Sequence, residues 1–131
     1  MMGSAFGEAS PVRTFAETLY LEATLEDGQS LALPEAGERA AYVVSGHVET
    51  GDSAIPEHSL AVFAPGSRIT LTATRPSRIA VIGGEALGHR YIEWNFASSR
   101  KQRIEQAKAL WQSGGFAKVR GDEKEFIPLP E

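Results

Sequence analysis

The feature that most limits this chain is the spacing of its turn residues. From Thr18 to Leu25 the sequence alternates, with Leu19, Leu21, Ala23 and Leu25 on one side and Tyr20, Glu22 and Thr24 on the other, the period of a half-buried strand. Glu26-Asp27-Gly28 closes that run as a turn. Shorter runs of strand character follow: Ser30–Leu33, Ala41–Ser45, His47–Thr50, Leu60–Phe63, Ile69–Ala73, Ile79–Ile82 and Tyr91–Phe96. Pro34 to Gly37, Gly46, Gly51-Asp52, Pro56, Pro65-Gly66, Arg75-Pro76 and Gly83-Gly84 separate them. Breaks so close together leave no room for the crossover helices that parallel strands require, so the pattern predicts an all-β sandwich or barrel. A chain of 131 residues is long enough to bury one real core and short enough to be one domain.

One helix interrupts the pattern late in the chain. Ser99 followed by Gln102 reads as a capping box, and Ile104, Ala107, Leu110 and Trp111 recur at helical spacing, which predicts a helix from Ser99 to about Gln112. Lys101 and Glu105 stand one turn apart and are expected to pair. Gly114-Gly115 supplies the stop. In the tail that follows, Phe126, Ile127 and Leu129 lie among Pro128 and Pro130, which forbid a central strand; apolar residues there are expected to dock on a surface. The expected organisation is therefore an entry segment over 1–17, a barrel over 18–97, a helix over 98–114 and an extended tail over 115–131.

Composition excludes several functions. The chain has no cysteine, which removes disulfides, thiolate metal sites and cysteine nucleophiles and suits a reducing cytoplasm. A net charge of −4 gives no general attraction to nucleic acid. The clustered cations Arg100, Lys101, Arg103 and Lys108 share an amphipathic stretch with Glu105 and read as a solvated helix face. No run is long and apolar enough for a membrane span, and residues 1–10 lack the pattern of a signal peptide. Ser98-Ser99 is explained by capping without invoking a nucleophile, and Gly83-Gly84-Glu85 is no phosphate loop.

The ending carries a family signature. Tyr91-Ile92-Glu93-Trp94-Asn95-Phe96-Ala97-Ser98-Ser99 leads into Ile104-Glu105-Gln106-Ala107-Lys108, and the chain finishes Gly121-Asp122-Glu123-Lys124-Glu125-Phe126-Ile127-Pro128-Leu129-Pro130. This closely resembles the C-terminal domain of the pirin family, as do the opening Gly3 to Gly7, Ser10 to Thr14 and Leu19-Tyr20-Leu21. The resemblance implies a cupin-type double-stranded β-helix, a jelly-roll barrel with one C-terminal helix and a docking tail. It also implies a relative about twice this length whose metal-binding histidines and glutamate lie in another, N-terminal cupin.

Set against the metal-binding cupin motifs, this sequence lacks the donors. His-x-His works because alternate strand residues face one way, placing two imidazoles inside the barrel with a carboxylate and a later histidine. Between Gly28 and Gly46 there is no histidine. Pro34 and Ala36 fall near the histidine positions, Arg39 replaces the glutamate, and Ile69 replaces the later histidine after Ala64-Pro65-Gly66. His47, His58 and His89 share no ligand spacing; His47 and Glu49 would share a strand face and are expected to engage in hydrogen bonding there. No metal, cofactor or catalytic residue is expected.

Three functions follow. The first is a non-catalytic association module, forming a homodimer through Ile104, Ala107, Trp111, Phe126, Ile127 and Leu129, or pairing with a separate cupin. The second is a part of a quercetin 2,3-dioxygenase-like pirin enzyme whose metal lies in another domain. The third is a vacated barrel holding a small organic anion near Arg39, Tyr42 and Ile69, since guanidinium grips carboxylates with forked geometry. Arginine is usually exposed, so the plainer expectation puts Arg39 at the surface of a Glu38-Arg39 turn.

Overall fold

The computed structural model describes residues 2–130, which divide into two compact units with the boundary between residues 86 and 87. In the first, β1 (Ser4–Ala5) and β2 (Glu8–Ala9) form a small hairpin around Phe6-Gly7, both at positive φ. Then come β3 (Thr18–Leu25), β4 (Ser30–Ala32), β5 (Glu38–Thr50), β6 (Ser53–Pro56), β7 (Leu60–Phe63) and β8 (Thr70–Gly84), joined entirely by antiparallel pairing.

β5 and β8 pair with each other along their length, and each is shared by two groups of strands. Toward one end the order is β3–β8–β5–β7; toward the other it is β4–β8–β5–β6. Residues of both groups meet in one core: Leu21, Val43, Ile79 and Val81 from the first, Val48, Ile55, Leu71 and Ala73 from the second. Two four-stranded groups folded over one core make a jelly roll, the architecture expected. β-branched residues dominate its fully buried positions, as a pleated, packed surface favours.

The breaks expected at Gly46 and Arg75-Pro76 are not chain breaks. They face each other within one bend of the long strands. Ser45 pairs with Arg78 and His47 with Arg75, so Gly46 alone opposes Pro76 and Ser77, a β-bulge. Gly46 has φ 92, and a Cβ on it would stand 2.2 Å from Ser77 Oγ and 2.6 Å from the Pro76 carbonyl. The Ser77 hydroxyl then replaces the missing ladder bond by accepting the His47 N–H at 2.9 Å. Proline survives in a central strand because the bulge removes any demand for its absent N–H.

In the second unit the expected strand Tyr91–Phe96 is a hairpin, β9 (Tyr91–Glu93) and β10 (Phe96–Ser98), turning at Trp94-Asn95 with Trp94 at φ 53. The helix, α1, spans Lys101–Gln112. The capping box is absent: Arg100 holds the N-cap position with no side-chain cap, and Ser98 Oγ accepts the Arg100 N–H at 3.1 Å. The stop is as expected. Gly114, at φ 67, donates to the Trp111 carbonyl and Gly115 to that of Leu110, the paired bonds of a Schellman motif. No helix among the described residues is long and apolar enough to cross a membrane.

Candidate functional site

β5 directs Arg39, Ala41 and Val43 to the inner face of the barrel, and Arg39 is only 4% exposed. Its guanidinium donates to the Pro34 carbonyl at 2.9 Å and to the Ser67 carbonyl. Ser67 is presented by the Pro65-Gly66 turn, which its own hydroxyl closes on the Ala64 carbonyl at 2.6 Å. Ile69 lies half-buried against the core, its carbonyl accepting the Leu33 N–H at 2.9 Å. A Cβ on Gly83 would meet Arg39 Cγ at 3.3 Å and Ala36 Cβ at 3.4 Å. Pro34, Ala36, Arg39 and Ile69 are thus brought to one region of the barrel, but what they supply there is a fixed positive charge and carbonyl oxygens already committed to it.

That donor set does not fit a metal ion. A guanidinium in the carboxylate's place repels a cation, and aliphatic side chains have no lone pair to offer. Among the described residues, no three His, Asp or Glu side chains converge. Two expectations need correction. Arg39 is not an exposed turn residue; it is buried in a strand, where only a side chain with strong hydrogen bonds is tolerated. Nor do Arg39, Tyr42 and Ile69 form one pocket: Tyr42 lies an odd number of residues from Arg39 and points to the outer face, 37% exposed.

The histidines stay apart. His47 Nδ1 bonds Thr74 Oγ1 across β5 and β8 at 2.8 Å, so its partner is not Glu49. His58 lies 3.1 Å from Glu57 Oε1 at the surface, and His89 stacks edge-on against Tyr91 at 4.7 Å.

In the second unit, three of the residues expected at an association surface, Trp111, Phe126 and Ile127, contact one another. Ile104 is buried, and Ala107 and Trp111 are half-buried. Trp111 stacks on Phe126 with centroids 5.6 Å apart, and its indole N–H donates to the Ile127 carbonyl at 2.8 Å. The tail therefore docks on the end of the helix, with Leu129 half-buried and Phe126 and Ile127 still more than half exposed. Trp94, Phe96 and Phe116 complete the aromatic cluster around Trp111. A groove of about 360 Å³ opens beside it, lined by Trp111, Phe116, Phe126, Val119, Lys118 and Lys124 among others. The expected Lys101–Glu105 pair gives way to Lys108, which contacts Glu93 and lies 3.8 Å from Glu105; the bond to Glu93 holds the Lys108 ammonium above its ordinary pKa.

A further surface, outside the residues expected at a site, is the outer face of β3–β8–β5–β7. Cross-strand register lines up Tyr20, Ile82, Ala40 and Val62 in one row and Glu22, Ala80, Tyr42 and Leu60 in the next. Tyr20, Ile82, Val62, Tyr42 and Leu60 are all exposed. The signal was present in the alternation, since the outward positions of these strands are themselves apolar.

Known proteins place this arrangement. Residues 20–117 match the model of the pirin C-terminal cupin domain. A pirin-like protein of Caulobacter vibrioides is 47% identical over 130 residues, covering 98% of this chain and 45% of that protein; a pirin-like protein of Solanum lycopersicum is 29% identical, covering 92% and 45%. The crystal structure of a quercetin 2,3-dioxygenase from Acinetobacter baumannii superposes with a TM-score of 0.82 at 16% identity, covering 99% of this chain and 46% of that one, a likeness of fold. The chain spans less than half the length of these relatives. With its barrel, its C-terminal helix and its docked tail, the chain belongs to the pirin C-terminal cupin domain family.

Proposed function

We propose that this domain is a metal-free, non-catalytic association module that works beside another cupin barrel, here a second copy of itself, in the cytoplasm. The observation that carries the reading is Arg39. A buried guanidinium held by Pro34 and Ser67 fills, with its own charge, the region where a catalytic cupin gathers ligands around a metal. Its hydrogen bonds to protein carbonyls also argue against a small organic anion as the regular occupant. Elemental analysis after incubation with excess iron, nickel, manganese or zinc and exhaustive dialysis is the test. The expected result is no stoichiometric metal; one tightly held ion per chain overturns the reading.

A second reading is favoured by the lengths alone. Because matching relatives are more than twice as long, including one crystallised as a quercetin 2,3-dioxygenase, the domain can serve as the non-metal half of such an enzyme. This chain by itself is then expected to leave quercetin unchanged and to gain activity only with a metal-bearing cupin present.

A further inference from the structure

We propose that the outer face of β3–β8–β5–β7 is the surface on which a second copy of this chain docks, sheet upon sheet. The inference rests on the association reading and names its interface. Five exposed apolar side chains from four strands, Tyr20, Ile82, Val62, Tyr42 and Leu60, stand in two adjacent rows with Ala40 and Ala80 between them. Their contiguity follows from the register, and isolated exposed apolar residues would not produce it. Contiguous patches of this kind on soluble domains mark interaction sites.

Charge and shape specify the occupant. The chain carries −4 overall, which opposes self-association, yet the two apolar rows hold charge only in a closed pair, with the exposed Glu38 in the neighbouring row at their margin. Its one ion pair is closed internally: Arg78 contacts Glu22, and the Tyr20 hydroxyl donates to the other Glu22 oxygen at 2.7 Å. An identical face can approach with its unpaired like charge confined to Glu38 at the margin. Alanines at the centre with larger residues around them give a low middle and raised flanks, which a copy turned about a two-fold axis can interleave. The relatives add a further argument, because the matched half of each is accompanied by a comparable length of chain, a neighbour of the same scale. The helix and tail are the weaker surface, as Ile104 is buried and Trp111 is engaged by Phe126 and Ile127 within the chain.

The experiment is sedimentation equilibrium on the full chain and on two sets of variants, with thermal melts to establish folding. Leu60→Glu and Val62→Glu alter exposed positions of an edge strand; Phe126→Glu alters the tail. The expected result is a wild-type dimer whose dissociation constant rises about a hundredfold on burying an unpaired carboxylate at Val62 or Leu60 and barely moves in Phe126→Glu. Should the glutamates unfold the barrel, Val62→Thr keeps the strand's β-branched shape and is expected to weaken the dimer about tenfold. A wild-type monomer at high micromolar concentration overturns the association reading and this inference together. A wild-type dimer that survives the β7 variants and dissociates in Phe126→Glu overturns the sheet interface alone.

Discussion

The two faces of the β3–β8–β5–β7 group are built from the same strands with opposite logic. The inner face is aliphatic and closed, with Ala41, Val43, Ile79 and Val81 excluded from solvent and one charge, Arg39, locked among carbonyls. The outer face leaves Tyr20, Tyr42, Leu60, Val62 and Ile82 in water and carries its charge in the Glu22–Arg78 pair and in Glu38 at its margin. Here the interior carries only packing, and the surface that solvent would rather not wet is outside. The difference shows how one set of alternating strands can bury a fixed charge on one side and leave a contiguous apolar patch on the other.

The sharpest way to break the comparison is to reverse the inner charge. Arg39→Glu sets a buried carboxylate against the oxygens of Pro34 and Ser67, and is expected to destabilise the fold by about 3–5 kcal/mol, the cost of an uncompensated buried charge. Chemical denaturation measures it. A loss under 1 kcal/mol would mean the guanidinium is far wetter than its 4% exposure indicates. Ile79→Ala removes a fully buried side chain from the same face and is expected to cost about 2–5 kcal/mol. Gly46→Ala acts between these residues and the surface. Its Cβ must displace Ser77 and Pro76 at a positive-φ position, so a loss of about 1–3 kcal/mol is expected. Retention of full stability there would show that the bend needs no glycine.

These expectations also mark how much of the molecule could be read in advance. β3 and β7 were legible to the residue, because alternation and flanking turn residues agreed. β5 and β8 were each cut in two at Gly46 and Pro76, since a bulge and a turn use the same residues and only the partner strand distinguishes them. The β1–β2 hairpin was missed because its turn is Phe6-Gly7, where the usual signal is Asn-Gly or Asp-Gly. At the candidate site, the positions Pro34, Ala36, Arg39 and Ile69 were legible from motif spacing. The burial of Arg39 was not, because it is made tolerable by two carbonyls, one just before its own strand and one from a turn 28 residues on, whose convergence is invisible in sequence. The outer face was overlooked for the opposite reason: each apolar residue was assigned singly, and contiguity across strands exists only once register is known.

On the outer face, changes are expected to leave the fold nearly untouched. Val62→Thr, at a position 75% exposed, should shift stability by no more than about 0.5 kcal/mol, even as it weakens self-association. Denaturation well below the dissociation constant isolates the fold term, and a larger loss there would show that Val62 belongs to the core.

The smallest effect concerns the ion pair of that face. The Arg78 guanidinium, and then the Tyr20 hydroxyl, hold the Glu22 carboxyl below its ordinary pKa. A lowered folded-state pKa means the unfolded chain binds the proton more readily, so the contribution is complete above the unfolded value near about 4.3 and is lost as pH falls through the folded one. The same bond raises Tyr20, whose contribution holds below its ordinary value of 10.0 and fades as pH rises through the folded one. Glu22→Gln should therefore lower stability slightly at neutral pH and flatten its fall below about pH 4.3, both effects small because the pair is solvent-exposed and screened. If the dimer places this pair under a second copy, its response to salt will be weaker in the dimer than in the Val62→Glu monomer. An equal salt response in both would place Glu22 and Arg78 outside the buried part of the interface.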